Sequence, residues 1–233
     1  MRGGFYFDWT FILVLIGAAI CVAAQGWMKS TYKKYSKVPS KSGLTGQQTA
    51  ERILRAAGIT DVAVGPIAGV LTDHYDPRTK RLSLSEGVYD GSSLAAISVA
   101  AHECGHAIQH SVNYAPLNIR SAIVPVVNIG SSMSWPIFIL GLFLSIRPLV
   151  SVGIVLFSLA VLFQLVTLPV EFNASGRALT MLTDIGILSN EENKGAAAVL
   201  RAAALTYVAA LTSSVLQLLR MIAIANGGRS RDK

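Results

Sequence analysis

Ala100-Ala101-His102-Glu103-Cys104-Gly105-His106-Ala107-Ile108-Gln109-His110 is the stretch around which the rest of the chain is read. Histidines four apart stand on one face of an α-helix, one turn above each other, so both imidazoles reach a single metal ion. Glu103 adjoins the first histidine and is placed to act on a water rather than to bind the metal. His-Glu-x-x-His on a helix is the arrangement that zinc proteases use. Five residues with three fixed positions also recur by chance, so the surrounding sequence has to decide.

The composition narrows the field. Of 233 residues, 52% are hydrophobic and 14% charged, against about a quarter charged in an ordinary soluble domain. That balance indicates a mostly α membrane protein with modest soluble parts. The net charge of +7 comes from Lys and Arg that gather near span boundaries. They read as topology determinants rather than as a nucleic-acid surface, so no nucleic-acid partner is expected. Cys21 lies in an apolar run and Cys104 in the motif, which gives no disulfide framework.

Trp9 to Met28 is apolar and meets the about 20 residues that a bilayer span requires. Lys29, Lys33, Lys34, Lys37 and Lys41 follow it with no acid among them, whereas only Arg2 precedes it. The positive-inside bias therefore places the following segment in the cytoplasm and makes residues 1–28 an uncleaved anchor. Residues 29–120 read as a cytoplasmic-facing segment that carries the motif. Thr45-Gly46-Gln47-Gln48 resembles a capping box that opens a helix to about Ala57, stopped by Gly58. Val62–Val64, Val70–Tyr75 and Arg81–Leu84 are strand-like, and Asp76-Pro77-Arg78-Thr79 between the last two makes a small β-hairpin. Ser92 or Ser93 then caps the motif helix, which runs to about His110.

Residues 121–170 read as a transmembrane helical hairpin: Ala122 to Ile146 is apolar, Arg147-Pro148 breaks it, and Leu149 to Leu168 is a cleaner run ending at Pro169. A hairpin returns the chain to the side it left, so Glu171 is expected on the membrane face that carries His102 and His106. Residues 171–199 form a helix and linker, with Ser189-Asn190-Glu191-Glu192 as a second capping box. Residues 200–233 hold an apolar helix, transmembrane or interfacial, and a polar tail. A fourth span would send Arg229, Arg231 and Lys233 outward, against the charge bias.

A catalytic zinc takes three protein ligands and one open position. A third histidine reached through a glycine turn would stand at position 112, but Val112 is there, and Gln109 replaces the turn glycine. His110 lies two turns from His102, about 12 Å along an intact helix, and suits a helix-end or cleft role. The downstream acids are Glu171, Asp184, Glu191, Glu192 and Asp232. Capping accounts for Glu191 and Glu192, and Asp232 lies in the tail. Glu171 and Asp184 remain. A carboxylate on an apolar approach needs a partner, and for Glu171 that partner is zinc, Arg177 or water.

Leu71-Thr72-Asp73-His74-Tyr75-Asp76-Pro77, the motif stretch, and Leu168-Pro169-Val170-Glu171-Phe172-Asn173-Ala174-Ser175 together resemble the YugP family of membrane zinc metallopeptidases. The likeness extends from the first span to Leu205-Thr206-Tyr207-Val208-Ala209-Ala210. That family is similar in plan to the HtpX and prenyl-protease group of gluzincins. The resemblance implies zincin-like catalytic helices on three or four transmembrane helices, a Zn2+ cofactor and Glu171 as third ligand. The HtpX-like pattern sets an aspartate four residues after that glutamate, where this chain has Ser175, and Asn173 is neutral as well. Asp184, Asn173 or a backbone carbonyl is left to hold the far nitrogen of a ligand histidine, and Ser175 stays among the candidates around the site.

The expected function is a zinc metalloprotease of the cell membrane, its active site facing the cytoplasm and its substrate a membrane or membrane-proximal protein or peptide. Glu103 is the expected catalytic base, and His102, His106 and Glu171 the metal ligands. His74, Tyr75, Tyr89, His110 and Arg177 are candidates for stabilising the transition state. The rivals are a membrane scaffold or assembly factor with a decayed site, a transporter, and a zinc hydrolase that acts on other amides or lipids.

Overall fold

The computed structural model describes residues 9–227; Arg2, Arg229, Arg231, Asp232 and Lys233 lie outside them. The described chain is mostly helical, with a small three-stranded sheet. It divides into two units. One contains Gln25–Ile119 and Leu168–Leu205, and the other contains Arg120–Thr167 with the described parts of Met1–Ala24 and Thr206–Lys233.

The first unit is built around a buried helix. α1 spans Phe11–Tyr35, and α2, Gly46–Ala56, opens on the expected capping box. Thr45 Oγ1 accepts from the Gln48 amide at 3.2 Å, and Gln48 Oε1 accepts from the Thr45 amide at 3.0 Å. Gly58, at φ +71°, closes the helix in a conformation that glycine adopts freely. The buried stripe Ala50, Ile53 and Leu54 packs into the core that α4, Leu94–Ser111, runs through. Ser93 caps α4 by accepting from the Ala96 amide. Ala95, Ile97, Ala100, Ala101 and Cys104 are fully buried, so the motif helix is a core helix.

The sheet has the order β1-β3-β2, with β1 Ala63–Ile67, β2 His74–Asp76 and β3 Arg81–Ser85; the one-turn helix α3, Glu86–Tyr89, follows. β2 and β3 form the expected antiparallel hairpin, and β1 adds a parallel edge. β2 is shorter than the run Val70–Tyr75 expected from the sequence. Gly69 and Leu71 take positive φ, which ends any strand there. Asp73 fastens the loop instead, accepting from the Ser85 amide at 2.7 Å and from its hydroxyl at 3.1 Å.

α5 spans Ala115–Phe143, with Pro125 and Pro136 inside it. A turn with Ser145 at φ +56° leads into α6, Arg147–Asp184, and α7 is Asn190–Gly227. The break expected at Pro169 is absent, and α6 continues through it. A proline inside a helix removes one backbone donor, and burial of Val170, Ala174, Ala178 and Leu182 beyond it holds the helix. Glu171 therefore lies within α6 and does not open a new helix.

Among the described residues, α1, α5, α6 and α7 are long and apolar enough to cross a membrane. In the second unit Phe138, Val150 and Met221 are buried together. Val22, Val126, Ile129, Val155 and Phe143 are strongly exposed, an outward face that suits lipid rather than water. The capping box before α7 is present: Ser189 Oγ accepts from the Glu192 amide at 3.3 Å, and Glu192 Oε2 accepts from the Ser189 amide at 3.1 Å.

Candidate metal centre

The site begins with a close approach of two helices. A Cβ on Gly105 would collide with the carbonyl oxygen of Ala174 and come within 3.0 Å of its Cα. Glycine at 105 thus lets α6 lie backbone-close against α4. That approach delivers Glu171, one turn before Ala174, to the two histidines. Glu171 Oε2 is 3.3 Å from His102 Nε2 and 3.7 Å from His106 Nε2. The imidazoles meet edge to face with centroids 4.8 Å apart, and they are 15% and 12% exposed.

One donor atom from each of the three side chains lies within 4.8 Å of the others. On a tetrahedral zinc with bonds of about 2.0–2.1 Å, donor atoms stand about 3.3 Å apart. The distances from Glu171 to both imidazoles are of that size. The donor set of two neutral nitrogens and a carboxylate also suits zinc, so the residues present fit the ion.

Behind each imidazole stands an uncharged side chain. Ser175 Oγ is 3.1 Å from His102 Nδ1. Gln109 Oε1 is 3.0 Å from His106 Nδ1, while Gln109 Nε2 donates to the Val170 carbonyl at 2.8 Å and to Asn173 Oδ1 at 3.0 Å. Arg177 Nε donates to the same Asn173 oxygen at 2.8 Å. Both Nδ1 atoms are thus engaged, and both Nε2 atoms face Glu171.

Glu103 is buried beside the first histidine. Burial pulls the His106 pKa down, but the hydrogen bond to Glu171, the charges of Glu103 and Glu171, and Gln109 together leave it above the ordinary histidine value. Burial, helped by the Glu103 charge, pushes the Cys104 thiol well above its usual range. Its Sγ points at the Ala50 carbonyl, 3.6 Å away.

The other sequence candidates fall into two groups. Ser175, Asn173 and Arg177 join the network around the histidines. Asp184 does not: it is exposed at the end of α6, about 20 Å of helix beyond Glu171. His74 is exposed on β2, with its Nδ1 2.9 Å from the Thr72 carbonyl. His110 pairs with Tyr75 across 2.9 Å, tying the end of α4 to β2. The residue that sequence reading missed is Gln109, weighed there only as an absent glycine. Its i+3 spacing from His106 on the motif helix was the signal.

Comparison with known proteins gives the family. A family model described as "Putative neutral zinc metallopeptidase" matches residues 10–226. The chain is 49% identical to the "Putative membrane protease YugP" of Bacillus subtilis (strain 168), over 95% of this chain and 99% of that protein. No solved structure matches. The chain belongs to the neutral zinc metallopeptidase family, whose cofactor is zinc.

Proposed function

We propose that the protein is a gluzincin-type protease of the cell membrane, in which His102, His106 and Glu171 hold zinc and Glu103 is the catalytic base. The observation that carries this reading is the convergence of Glu171 Oε2 on the Nε2 atoms of both motif histidines. When bound, the zinc supplies Lewis acidity, which polarises a peptide carbonyl and makes a water more acidic. Glu103 accepts a proton from that water as its oxygen adds to the carbonyl carbon. It then returns the proton to the amine as the C–N bond breaks, which balances the hydrolysis. Ser175 and Gln109 hold the rings so that the Nε2 lone pairs face the ion.

Residues 1–28 act as an anchor and 121–170 as a membrane hairpin, with 29–120 and 171–199 on the cytoplasmic side. The lysines after the first span support that orientation. Substrates are then membrane or membrane-proximal proteins presented from the cytoplasm.

The test is zinc content together with cleavage of an unfolded model protein by the full-length chain in detergent. Wild type is expected to carry zinc and to cleave. Glu103→Gln keeps the ligands and is expected to retain zinc and lose about 10²–10⁴-fold in rate. Equal cleavage by the two proteins overturns the assignment of the base. Zinc binding without proteolysis favours a hydrolase of other amides, and absence of zinc binding favours a scaffold.

A further inference from the structure

We propose that Gln109 is a positioning residue for the metal site, an uncharged clamp that sets the tautomer of His106 and ties it to the turn of α6 that carries Glu171. The inference rests on His102, His106 and Glu171 being the ligands. It concerns what holds them.

Gln109 is fully buried, and its amide is engaged at both ends: Oε1 toward His106 Nδ1, and Nε2 toward the Val170 carbonyl and Asn173 Oδ1. An amide can be turned over, which would exchange donor for acceptor. Here its direction is fixed from two ends. The Val170 carbonyl can only accept, so the group facing it must be the NH2. Arg177 can only donate, so Asn173 presents its oxygen to Arg177 Nε and offers that same oxygen to Gln109. Both requirements turn the Gln109 oxygen toward His106. His106 then carries its proton on Nδ1 and keeps the Nε2 lone pair for the ion.

The same amide makes a mechanical tie. Val170 adjoins Glu171, and Asn173 is two residues beyond it, so both amide hydrogens grip the backbone turn and side chain that flank the carboxylate ligand. One side chain on α4 thereby couples a histidine ligand to the glutamate ligand on α6. Arg177, half-buried at the far end, orders this chain of dipoles without touching a ligand.

The experiment measures the zinc affinity of full-length protein in detergent micelles by competition with a chromophoric chelator. The visible spectrum of the cobalt-substituted protein serves as a second readout. Gln109→Met keeps length and packing but removes the acceptor and both donors. It is expected to bind zinc about 10–100-fold more weakly and to shift the cobalt bands. Gln109→Glu restores an acceptor for the Nδ1 proton and is expected to bind more tightly than Gln109→Met. A residue that only packs would give the reverse order, because the Glu carboxylate would face two oxygen acceptors in the core.

Gln109→Met within twofold of wild type, or Gln109→Glu no better than Gln109→Met, overturns the proposal. If Gln109→Met is not recovered folded, Gln109→Glu decides against wild type. Affinity within tenfold is then expected, and a loss as complete as that of His106→Ala overturns it. His102→Ala and Glu171→Gln are measured alongside. Should they bind zinc as wild type does, the ligand assignment fails; should they lose zinc while Gln109→Met keeps it, only the present inference fails.

Discussion

Gly105 on α4 and Ala174 on α6 meet backbone to backbone, with no room for a side chain at position 105. The approach of Glu171 to the histidines depends on that contact. In Gly105→Ala the new methyl meets the backbone carbonyl of Ala174, which has no rotamer to change. Overpacking of this kind costs about 1–3 kcal/mol, and separating the helices also spoils the proposed ligand set. The expected result is a lowered Tm and loss of most zinc affinity, although none of the three proposed ligands is altered. Unchanged zinc affinity would show that α6 can move without cost to the site.

The pH dependence follows from His106, whose pKa stands above the ordinary value because Glu171 and Glu103 outweigh its burial. In the proposed site zinc must displace that proton. Zinc affinity is therefore expected to fall with acid, beginning above about pH 6.5, the range of a free imidazole. For the chelated protein the sign reverses. A folded pKa above the unfolded one contributes stability that is complete below the unfolded pKa and is lost as pH rises through the folded value. The Tm increment given by zinc should thus widen with pH, as calorimetry with and without chelator would measure. A constant increment across the histidine range would contradict the assignment of His106.

Ser175 stands behind His102 as Gln109 stands behind His106. Ser175→Ala removes the acceptor and is expected to weaken zinc binding about 10–100-fold, whereas Ser175→Asp should bind at least as tightly as wild type. Equal affinity in Ser175→Ala and wild type would mean that the contact does not orient the ring.

Much of this site was legible before any coordinates. The i+4 histidines, the adjoining glutamate and the short list of downstream acids led to the three side chains that the fold brings together. The supports behind them were not legible in the same way. A search for a carboxylate passed over Gln109 and left Ser175 as one candidate among several, because a neutral acceptor is recognisable only once its other bonds are known. The helix boundary at Pro169 misled for a physical reason. Proline weakens a helix locally, but the burial of Val170, Ala174 and Ala178 that offsets it is a property of packing. The shortening of β2 came likewise from positive φ at Leu71, which its residue type disfavours.

The orientation can be tested by cysteine reporters and a membrane-impermeant thiol reagent. Lys37→Cys, after α1, is expected to react in inverted vesicles and not in intact cells. Leu144→Cys, beside the turn between α5 and α6, should show the opposite pattern. Asn226→Cys near the end of α7 should react from outside if that helix crosses, and labelling from the cytoplasmic face would make it interfacial. Reversal of the first two results would place the active site outside the cell.

The burial of Cys104 bears on how the enzyme tolerates chemical stress. This sulfur sits between the two motif histidines in sequence, yet it is fully enclosed and held as the thiol. Peroxide attacks the thiolate at accessible sites. A sulfur within the motif itself is therefore shielded from the sulfenic acid pathway, and the redox poise of the surroundings does not govern the site through this residue.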